Sequence, residues 1–544
     1  MASSSEESLA PVTQQEGEHL PTLAEQNRLH AGALGLPAVF VLCVAAIAPA
    51  ASMLFNVPVM ASQAGAATPL AFVLSAIGIL LFGIPVVFFA RRLSSAGGFA
   101  TWVRHGLGPF AAFQVGWLLL GAYALFEAAL QATVGSSLDL TLSGLGFHLF
   151  GGWMSYAVLL TLLVGVLAYL EVKASLWVMA PFAVAEVLAL LVLDLAITLK
   201  GGASGHDLWH TLTPAGASLT GVVPGGVLGI GLAMVLGLLA FVGFETGSVY
   251  GEEARAPRRS IPVAIYTLLV FLAVLYTWTS YAATIGVGWQ QAGMVLGNVN
   301  AAPQQYLALA SRYVGPWLGI ALVVLVLTSN AASAFAMHQA MVRYAYSLGR
   351  AGVLPAVLGK THPRWKSPWV ASLLQSGFTL VVIGLLGLVI QHLNPDGSTS
   401  YALGIANGTT WQQSGGIVAF GWLASIVTLC LLLVYLLTNL AAPIFAHRRG
   451  ELRLFPHVVA PALSSLVLLL PLAASLVPAL PGTGPLLSHL GLTRTPFPAT
   501  ILPLFVVAWV VLGVAYGVWL RRRDPARFVH LGQVSEEEEE DGEC

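Results

Sequence analysis

The sequence predicts an all-α integral membrane protein with twelve transmembrane helices, arranged as a five-plus-five inverted repeat with broken first and sixth helices and two peripheral helices. Composition indicates the class: 57% of the residues are hydrophobic and only 9% are charged, against roughly 25% charged in soluble domains. Twelve apolar runs are long enough for the helix of about 20 residues that crosses the hydrocarbon layer. Two of these runs, the first and the sixth, are interrupted, and their positions suggest the repeat.

The apolar runs divide the chain into two repeats and three flanking parts. Spans 1 to 5 fall in residues 31–200, spans 6 to 10 in residues 220–450, and two peripheral spans in residues 456–523. The polar residues 1–30 are predicted to form a disordered tail, and residues 524–544 form an acidic tail whose charges repel one another. The twelve runs are roughly Leu36–Ser62, Ala66–Ala90, Phe110–Leu138, Gly152–Leu170, Ala174–Leu199, Pro224–Tyr250, Ile261–Ile285, Pro316–Tyr346, Pro368–Ile390, Gly415–Ala446, Val458–Val477 and Thr500–Leu520.

The interruptions indicate where a binding site would lie. The first run contains Pro49 in AAIAPAASMLF, and the sixth breaks at Gly243 in GFETG. Matching interruptions five runs apart, in helices of opposite direction, favour an inverted repeat with its site at the interface. Glu245 stands at the second break, and an ionisable residue at membrane depth is by default a functional hypothesis. The alternative is that Glu245 only satisfies hydrogen bonds of the broken backbone.

Two connections carry helical patterns of their own. The segment RRLSSAGGFATWVRHGLGPF, between spans 2 and 3, is too polar to insert and is predicted to be a cytoplasmic surface helix. Between spans 7 and 8, PQQYLALASRY reads as a short amphipathic helix. It either packs over an external vestibule or is a helical loop without a gating role.

The distribution of basic residues predicts the orientation. Cytoplasmic loops are enriched in Lys and Arg. If the N-terminus lies inside, only Lys200, Arg312 and Arg494 of the 23 basic residues fall outside. We therefore predict a multi-pass protein of the cytoplasmic (plasma) membrane with both termini in the cytoplasm.

Enzymatic and nucleic-acid functions find no support in the sequence. It has no phosphate-binding loop, zinc-protease helix or nucleophile elbow. Its three cysteines, Cys43, Cys430 and Cys544, form neither a disulfide framework nor a metal spacing. We expect no enzyme activity, no cofactor and no nucleic-acid partner, but a small-molecule substrate and contact with the lipid bilayer; the oligomeric state stays open.

Carboxylates inside the apolar runs are the candidates for chemistry. Glu186 lies near the middle of the fifth span, whereas Asp194 is closer to its outer end and could simply reach water. Glu127, in the third span, either faces a substrate or hydrogen-bonds to a neighbouring helix. Thr328 and Ser329 in the eighth span are either interhelical contacts or, beside a carboxylate, part of a site for a hard cation such as Na⁺.

Over about residues 32–450, the sequence resembles the amino acid-polyamine-organocation (APC) superfamily of secondary transporters. Three stretches carry the resemblance: the GFE…EE…P…R-x-IP pattern of the sixth span, the AGGFATWV…GLGPF…GW loop, and an arginine followed by G-x-LP after the eighth span. The matching residues are Gly243, Phe244, Glu245, Glu252, Glu253, Pro257, Arg259, Ile261 and Pro262; the loop Ala96–Trp117; and Arg343, Gly352, Leu354 and Pro355.

Two departures from the family pattern bear on the substrate. Many members carry G-S-G-[IL]-F at the first break, whereas this chain has Ala51, Ser52, Met53, Leu54 and Phe55. A methionine there would narrow the approach of a substrate carboxylate to bare amides, so amines and polyamines gain weight beside α-amino acids. Proton-coupled relatives place a lysine at about the position of Glu186, which inverts the charge.

The resemblance implies a secondary transporter of amino acids or related amines that works by alternating access, coupled to a proton or another cation. A polyamine or organic-cation transporter or exchanger is the nearer alternative, and a channel or transporter-like receptor is the more distant one. The expected substrate-binding residues are Pro49, Ala50, Ala51, Ser52, Phe241, Gly243, Phe244, Glu245, Thr246 and Glu127. Among them, the amides of Ala50, Ala51 and Ser52 would bind an anionic group, and carbonyls around Phe241 to Phe244 would bind the ammonium. The expected coupling residues are Glu186, Thr328 and Ser329, with Na⁺ at the two hydroxyls as one option. Glu253, Arg259 and Arg343 are expected to have a gating or structural role.

Overall fold

The described part of the protein is helical. The computed structural model describes residues 36–93, 98–147, 149, 151–170, 176–219, 225–244, 257–350, 352–365, 367–392, 415–485, 499–525 and 528. Within these ranges there is no β-strand, and nine helical segments are long and apolar enough to cross a membrane. Two shorter apolar helices accompany them. The prediction of an all-α membrane protein is confirmed at this level.

The helices are numbered in chain order. Those of the first half are α1 (Leu36–Ile47), α2 (Pro49–Ala64), α3 (Thr68–Ala90), α4 (Gly98–Leu107), α5 (Pro109–Gly144), α6 (Trp153–Tyr169), α7 (Leu176–Leu199), α8 (Leu208–Leu212) and α9 (Gly226–Leu239). Those of the second half are α10 (Pro257–Val287), α11 (Ala292–Val295), α12 (Gln304–Tyr313), α13 (Pro316–Arg350), α14 (Trp369–His392), α15 (Gly415–Arg448), α16 (Ala460–Ala479) and α17 (Leu502–Arg523). Each predicted apolar run contains one of these helices, and the first contains two.

The first run is divided where the sequence predicts it. A residue before proline is disfavoured in the α region, and Ala48 accordingly adopts φ 53° and ψ 70°, a left-handed conformation that is uncommon for a residue with a side chain. Pro49 then begins α2 at the first helical position, where a missing N–H costs nothing. The Ser52 amide donates to the Ala48 carbonyl at 2.9 Å. The interruption is therefore a single-residue kink between α1 and α2.

The sixth run ends its helix at Leu239. Beyond it, the amides of Phe241 and Val242 donate to carbonyls three residues back, those of Leu238 and Leu239, at 3.1 and 2.9 Å. Gly243 follows with φ 109°, a backbone conformation that glycine adopts readily and other residues do not. The helix-breaking role predicted for this position is confirmed up to Phe244, the last residue described before Pro257.

The two helices predicted in connections are present, but both are packed into the protein. In α4, Phe99 and Trp102 are buried, and Phe99 stacks on Phe82 of α3. In α12, Tyr306 is fully buried and Leu309 nearly so. The segment between spans 2 and 3 is thus not a helix lying free on the surface.

The long helices enclose a buried core. Helix α5 packs extensively against α15, α13 and α6, while α10 packs against α3 and α7. Helix α7 shows how the faces are divided: Leu188, Val192 and Leu195 are exposed, whereas Glu186 and Asp194 are buried. Both carboxylates of α7 therefore face the protein interior. The exposed leucine and valine side chains on the opposite face suit contact with lipid.

Candidate functional site

A cavity lies between the two helix interruptions. About 450 Å³ there is not filled by protein atoms, a figure that includes space open to solvent. Its apolar lining comes from α1, α2, α5, α13, α15 and the end of α9. These residues are Ile47, Ala48, Ala51, Phe55, Phe126, Leu130, Leu239, Val242, Met337 and Phe420.

Four polar side chains also line the cavity: Ser52, Asn56, Asn330 and Ser333. Asn330 donates to the Thr133 hydroxyl at 2.5 Å, which fixes it against α5. Asn56 is 2% exposed, and its side-chain oxygen has no hydrogen-bond partner within the described ranges. Since a buried acceptor is normally paired, Asn56 is suited to receive a donor from a bound molecule. The sequence reading missed it, although an asparagine two turns beyond a predicted break was a usable signal.

The first interruption meets Glu186 from α7. The Ala50 amide donates to Glu186 Oε2 at 3.1 Å, the Ser329 hydroxyl hydrogen-bonds to the same side chain, and Tyr276 of α10 is close enough to interact electrostatically. Glu186 is 1% exposed. Two of the amides predicted to bind the substrate therefore already have acceptors in the protein. The Ala50 amide donates to Glu186, and the Ser52 amide donates to the Ala48 carbonyl.

Of the two hydroxyls expected at a cation site, the structure brings only Ser329 to Glu186. Thr328 is exposed, and its hydroxyl donates to the carbonyls of Val324 and Leu325 on its own helix at 2.9 and 3.0 Å. Adjacent residues on a helix point about 100° apart, so the two cannot face one carboxylate together. The proposed pairing of Thr328 with Glu186 does not form here.

Glu127 lies in a separate buried network. Its Oε1 accepts from Gln131 at 2.7 Å and lies 3.0 Å from His338 Nδ1, and its Oε2 accepts from Gln375 at 2.7 Å. His338 Nε2 lies 2.9 Å from the Ser372 hydroxyl. The network joins α5, α13 and α14, and Glu127 is absent from the described lining of the cavity. The sequence left open whether Glu127 faces a substrate or hydrogen-bonds to a neighbouring helix. In this structure it hydrogen-bonds to neighbouring helices.

Comparison with known proteins establishes the family. The chain matches the amino acid permease family over residues 38–478. It belongs to that family. The permease is thus a multi-pass membrane protein of a transporter family, within the APC superfamily that the sequence resembles.

Several curated relatives are similar to the permease at low identity. The branched-chain amino acid permease of Bacillus subtilis is 27% identical over 57% of this chain and 66% of its own length. The methylthioribose transporter of the same organism is 25% identical, covering 62% of this chain and 71% of that protein. Human cationic amino acid transporter 4 is 26% identical over 59% of this chain and 50% of its own. The chain thus spans about two thirds or less of the first and third of these relatives.

The remaining predicted site residues of the permease are distributed as follows. Phe241 and Phe244 are fully buried, and Phe241 makes an edge contact with Tyr276 at 5.5 Å. Arg343 is exposed on α13. Met53 is fully buried and does not appear in the cavity lining, so it does not narrow the site. Glu245, Thr246, Glu253 and the side chain of Arg259 lie outside the described residues.

Proposed function

We propose that the permease is a secondary transporter that carries an α-amino acid with a small or medium-sized apolar side chain across the plasma membrane by alternating access. The observation that carries the proposal is the cavity between the two helix interruptions, with its mainly apolar lining and few polar groups. Apolar walls with a small number of placed polar groups are typical of small-molecule sites. Binding at the junction of two interrupted helices is the arrangement expected of alternating access.

The polar groups at the cavity suit the two charged ends of an amino acid. Backbone amides at the start of α2 offer a partner for the carboxylate, since helix N-termini favour anions. The Asn56 oxygen offers an acceptor for the ammonium, and carbonyls from Phe241 to Phe244 and the carboxylate of Glu245 would complete that side. Glu253, Arg259 and Arg343 remain our candidates for gating at the cytoplasmic end.

The apolar lining favours a neutral substrate over a cationic one. A basic side chain buried against these apolar walls would need a paired acidic group, and the described lining contains none. Among the relatives, the name of the B. subtilis branched-chain amino acid permease agrees with this lining better than that of the human cationic amino acid transporter. Polyamines and organic cations are disfavoured, because the Glu245 carboxylate that we place at the site would already be paired with the α-ammonium group.

Glu186 is our candidate for coupling, with a proton as the coupling ion. A substrate carboxylate that binds the α2 amides must compete with the Glu186 carboxylate for the Ala50 amide. Protonation of Glu186 removes its charge and weakens its bond to that amide, so proton binding and substrate binding favour each other. Na⁺ is less well served, because among the described residues only the Ser329 hydroxyl hydrogen-bonds to Glu186, whereas hard cations prefer six or more oxygen ligands.

Reconstituted protein tests this function. Proteoliposomes are given leucine, valine, alanine, γ-aminobutyrate, arginine or putrescine, under an inward pH gradient, under a sodium gradient, and without a gradient. We expect saturable counterflow of the neutral apolar amino acids and their accumulation under the pH gradient alone. Preference for arginine or putrescine would contradict the substrate class. Sodium-driven accumulation would contradict the coupling ion, and conduction without saturation or counterflow would indicate a channel. Ligand binding without transport would indicate a receptor.

A further inference from the structure

The second carboxylate of α7 is buried rather than solvated. From its place near the outer end of the helix, Asp194 could have reached water, yet it is 1% exposed. The Thr279 hydroxyl of α10 donates to its Oδ2 at 2.5 Å, while its Oδ1 has no hydrogen-bond partner among the described residues. No basic side chain in the same ranges pairs with it. An ionised carboxylate so placed would be costly, so the group is suited to carry a proton.

A second unpaired group faces Asp194 from a third helix. Tyr306 of α12 is fully buried, its hydroxyl is without a partner in the described part of the chain, and it is close enough to Asp194 to interact electrostatically. Buried polar atoms are normally satisfied by protein or by ordered water. An unpaired carboxylate oxygen and an unpaired phenol in the same seam between α7, α10 and α12 therefore form a polar site in an otherwise apolar region.

This seam ends close to the predicted outer surface. The Tyr313 hydroxyl at the end of α12 donates to the Gly286 carbonyl of α10 at 2.9 Å, and Lys200, just after α7, donates to the Tyr313 carbonyl at 2.6 Å. The ends of the three helices are thus tied together, less than two turns beyond Asp194. Lys200 is exposed, which places the ends at the polar boundary of the membrane.

The inner end of the same seam leads to Glu186. Glu186 and Asp194 are eight residues apart on one buried face of α7, about 12 Å along the helix axis. On α10, Thr279 contacts Asp194, and Tyr276, one turn away, lies beside Glu186 and Ser52. Helical side chains lean toward the N-terminus of their helix, so the long Tyr276 side chain reaches inward toward Glu186. Hydroxyl groups thus lie beside both carboxylates.

We propose that Asp194 is a second proton-binding site, which takes protons from the outer solution and passes them along the seam between α7 and α10 to Glu186. In each transfer the Asp194 carboxyl releases its proton through hydrogen-bonded hydroxyl or water groups. The Glu186 carboxylate accepts a proton, and Asp194 is then reprotonated from outside. The groups that face Asp194 are Thr279 from α10 and Tyr306 from α12; Tyr276 faces Glu186, and Lys200 is bound at Tyr313. The inference rests on the proposed proton coupling.

Reconstituted Asp194→Asn, Glu186→Gln and wild-type protein test the relay, with Asp207→Asn as the matched control. Asp207 is a carboxylate of the predicted outer side that accepts from the His210 amide at the start of α8, and it is not among the described groups that contact Asp194. We expect Asp194→Asn to slow pH-driven accumulation by about tenfold or more, as loss of a proton-transfer group does, while counterflow changes by less than about twofold. Accumulation in Glu186→Gln should vanish, and Asp207→Asn should match the wild type.

Two further variants separate a relay from a structural hydrogen bond. Thr279→Val removes the same bond but keeps the carboxyl group, so accumulation should largely survive; equal loss in Thr279→Val and Asp194→Asn, in both assays, would show a structural role. If Asp194→Asn does not insert, Tyr306→Phe replaces it, and wild-type accumulation there would overturn the relay. Wild-type protein that fails to accumulate under a pH gradient refutes the proposed coupling itself. Wild-type accumulation in Asp194→Asn refutes only this inference.

Discussion

At Gly243 the backbone conformation disfavours any residue other than glycine. Its φ of 109° lies where a Cβ clashes with the backbone, and such strain costs on the order of 1–3 kcal/mol. The strain would fall at the end of α9, beside Val242 in the cavity lining. The backbone would therefore shift at the site itself rather than at a distance from it.

We expect Gly243→Ala to lower amino acid uptake by about tenfold, as expected for 1–2 kcal/mol of misplacement at a site, while membrane insertion stays normal. Gly243→Leu should abolish uptake. The matched control is Gly377→Ala in α14, where an added Cβ meets nothing within 4 Å and alanine favours the helix. Uptake of labelled leucine, normalised to protein in the membrane, gives the comparison. Wild-type uptake in both Gly243 variants would remove this segment from the site.

Single residues also show where the sequence reading stops. Pro49 and Gly243 could be identified as breaks because proline and glycine act on their own backbone. Thr328 and Ser329 could not be told apart, since which hydroxyl meets Glu186 depends on the rotation of α13 against α7. The burial of Asp194 was missed for the same reason, because α10 and α12 cover it and neither helix is adjacent to it in sequence.

At the scale of helices, the network around Glu127 ties α5 to α13 and α14. Glu127 and His338 are both fully buried, and each has a second partner, Gln375 and Ser372. Removing one member of such a pair leaves the other buried with one hydrogen bond fewer, at a cost of about 1–3 kcal/mol. Replacing both with apolar groups removes the two groups together, so neither is left facing an absent partner. Gln131, Gln375 and Ser372 each still lose one hydrogen bond.

We therefore expect Glu127→Leu and His338→Leu each to lower the Tm of the purified protein clearly, and the double variant to lose much less than the sum of the two. Thermal unfolding monitored by intrinsic fluorescence measures this double-mutant cycle. Thr328→Val serves as the control, since an exposed hydroxyl bonded only to its own helix should matter little. Additive losses in the double variant would mean that the two groups are not coupled.

The positions of the helices along the chain could be predicted from the sequence better than the contacts around each helix. Each apolar run contains a helix, because hydrophobic length is a property of the run itself. The surface helix predicted before span 3 is instead packed through Phe99 and Trp102, since an amphipathic pattern reveals an apolar face but not what covers it. The cavity lining, drawn from six helices distant in sequence, was only partly predicted for that reason.

On the scale of the whole molecule, the two ends of the helix bundle differ in their basic residues. At one end, Arg92 donates to Glu451 at 2.6 Å, and Arg448 donates to the His105 carbonyl at 3.0 Å. The hydrogen bond from Arg92 lowers the pKa of Glu451, with further help from the charges of Arg92 and Arg449, so Glu451 stays ionised at neutral pH. Lys200 lies at the other end, against Tyr313. Arg92, Arg448 and Arg449 thus form a basic cluster, at the end that the positive-inside rule assigns to the cytoplasm.

Cysteine labelling tests this orientation directly. Cys43 and Cys430 are buried, so Cys544→Ser provides a background with little reaction toward a membrane-impermeant maleimide. We add Ala203→Cys, an exposed position just after Lys200, or His447→Cys, an exposed position at the end of α15. Ala203→Cys should be labelled in intact cells, and His447→Cys only after the membrane is permeabilised. The reverse pattern would place the basic cluster outside, and Asp194 would then lie toward the cytoplasm and could not take protons from the external solution.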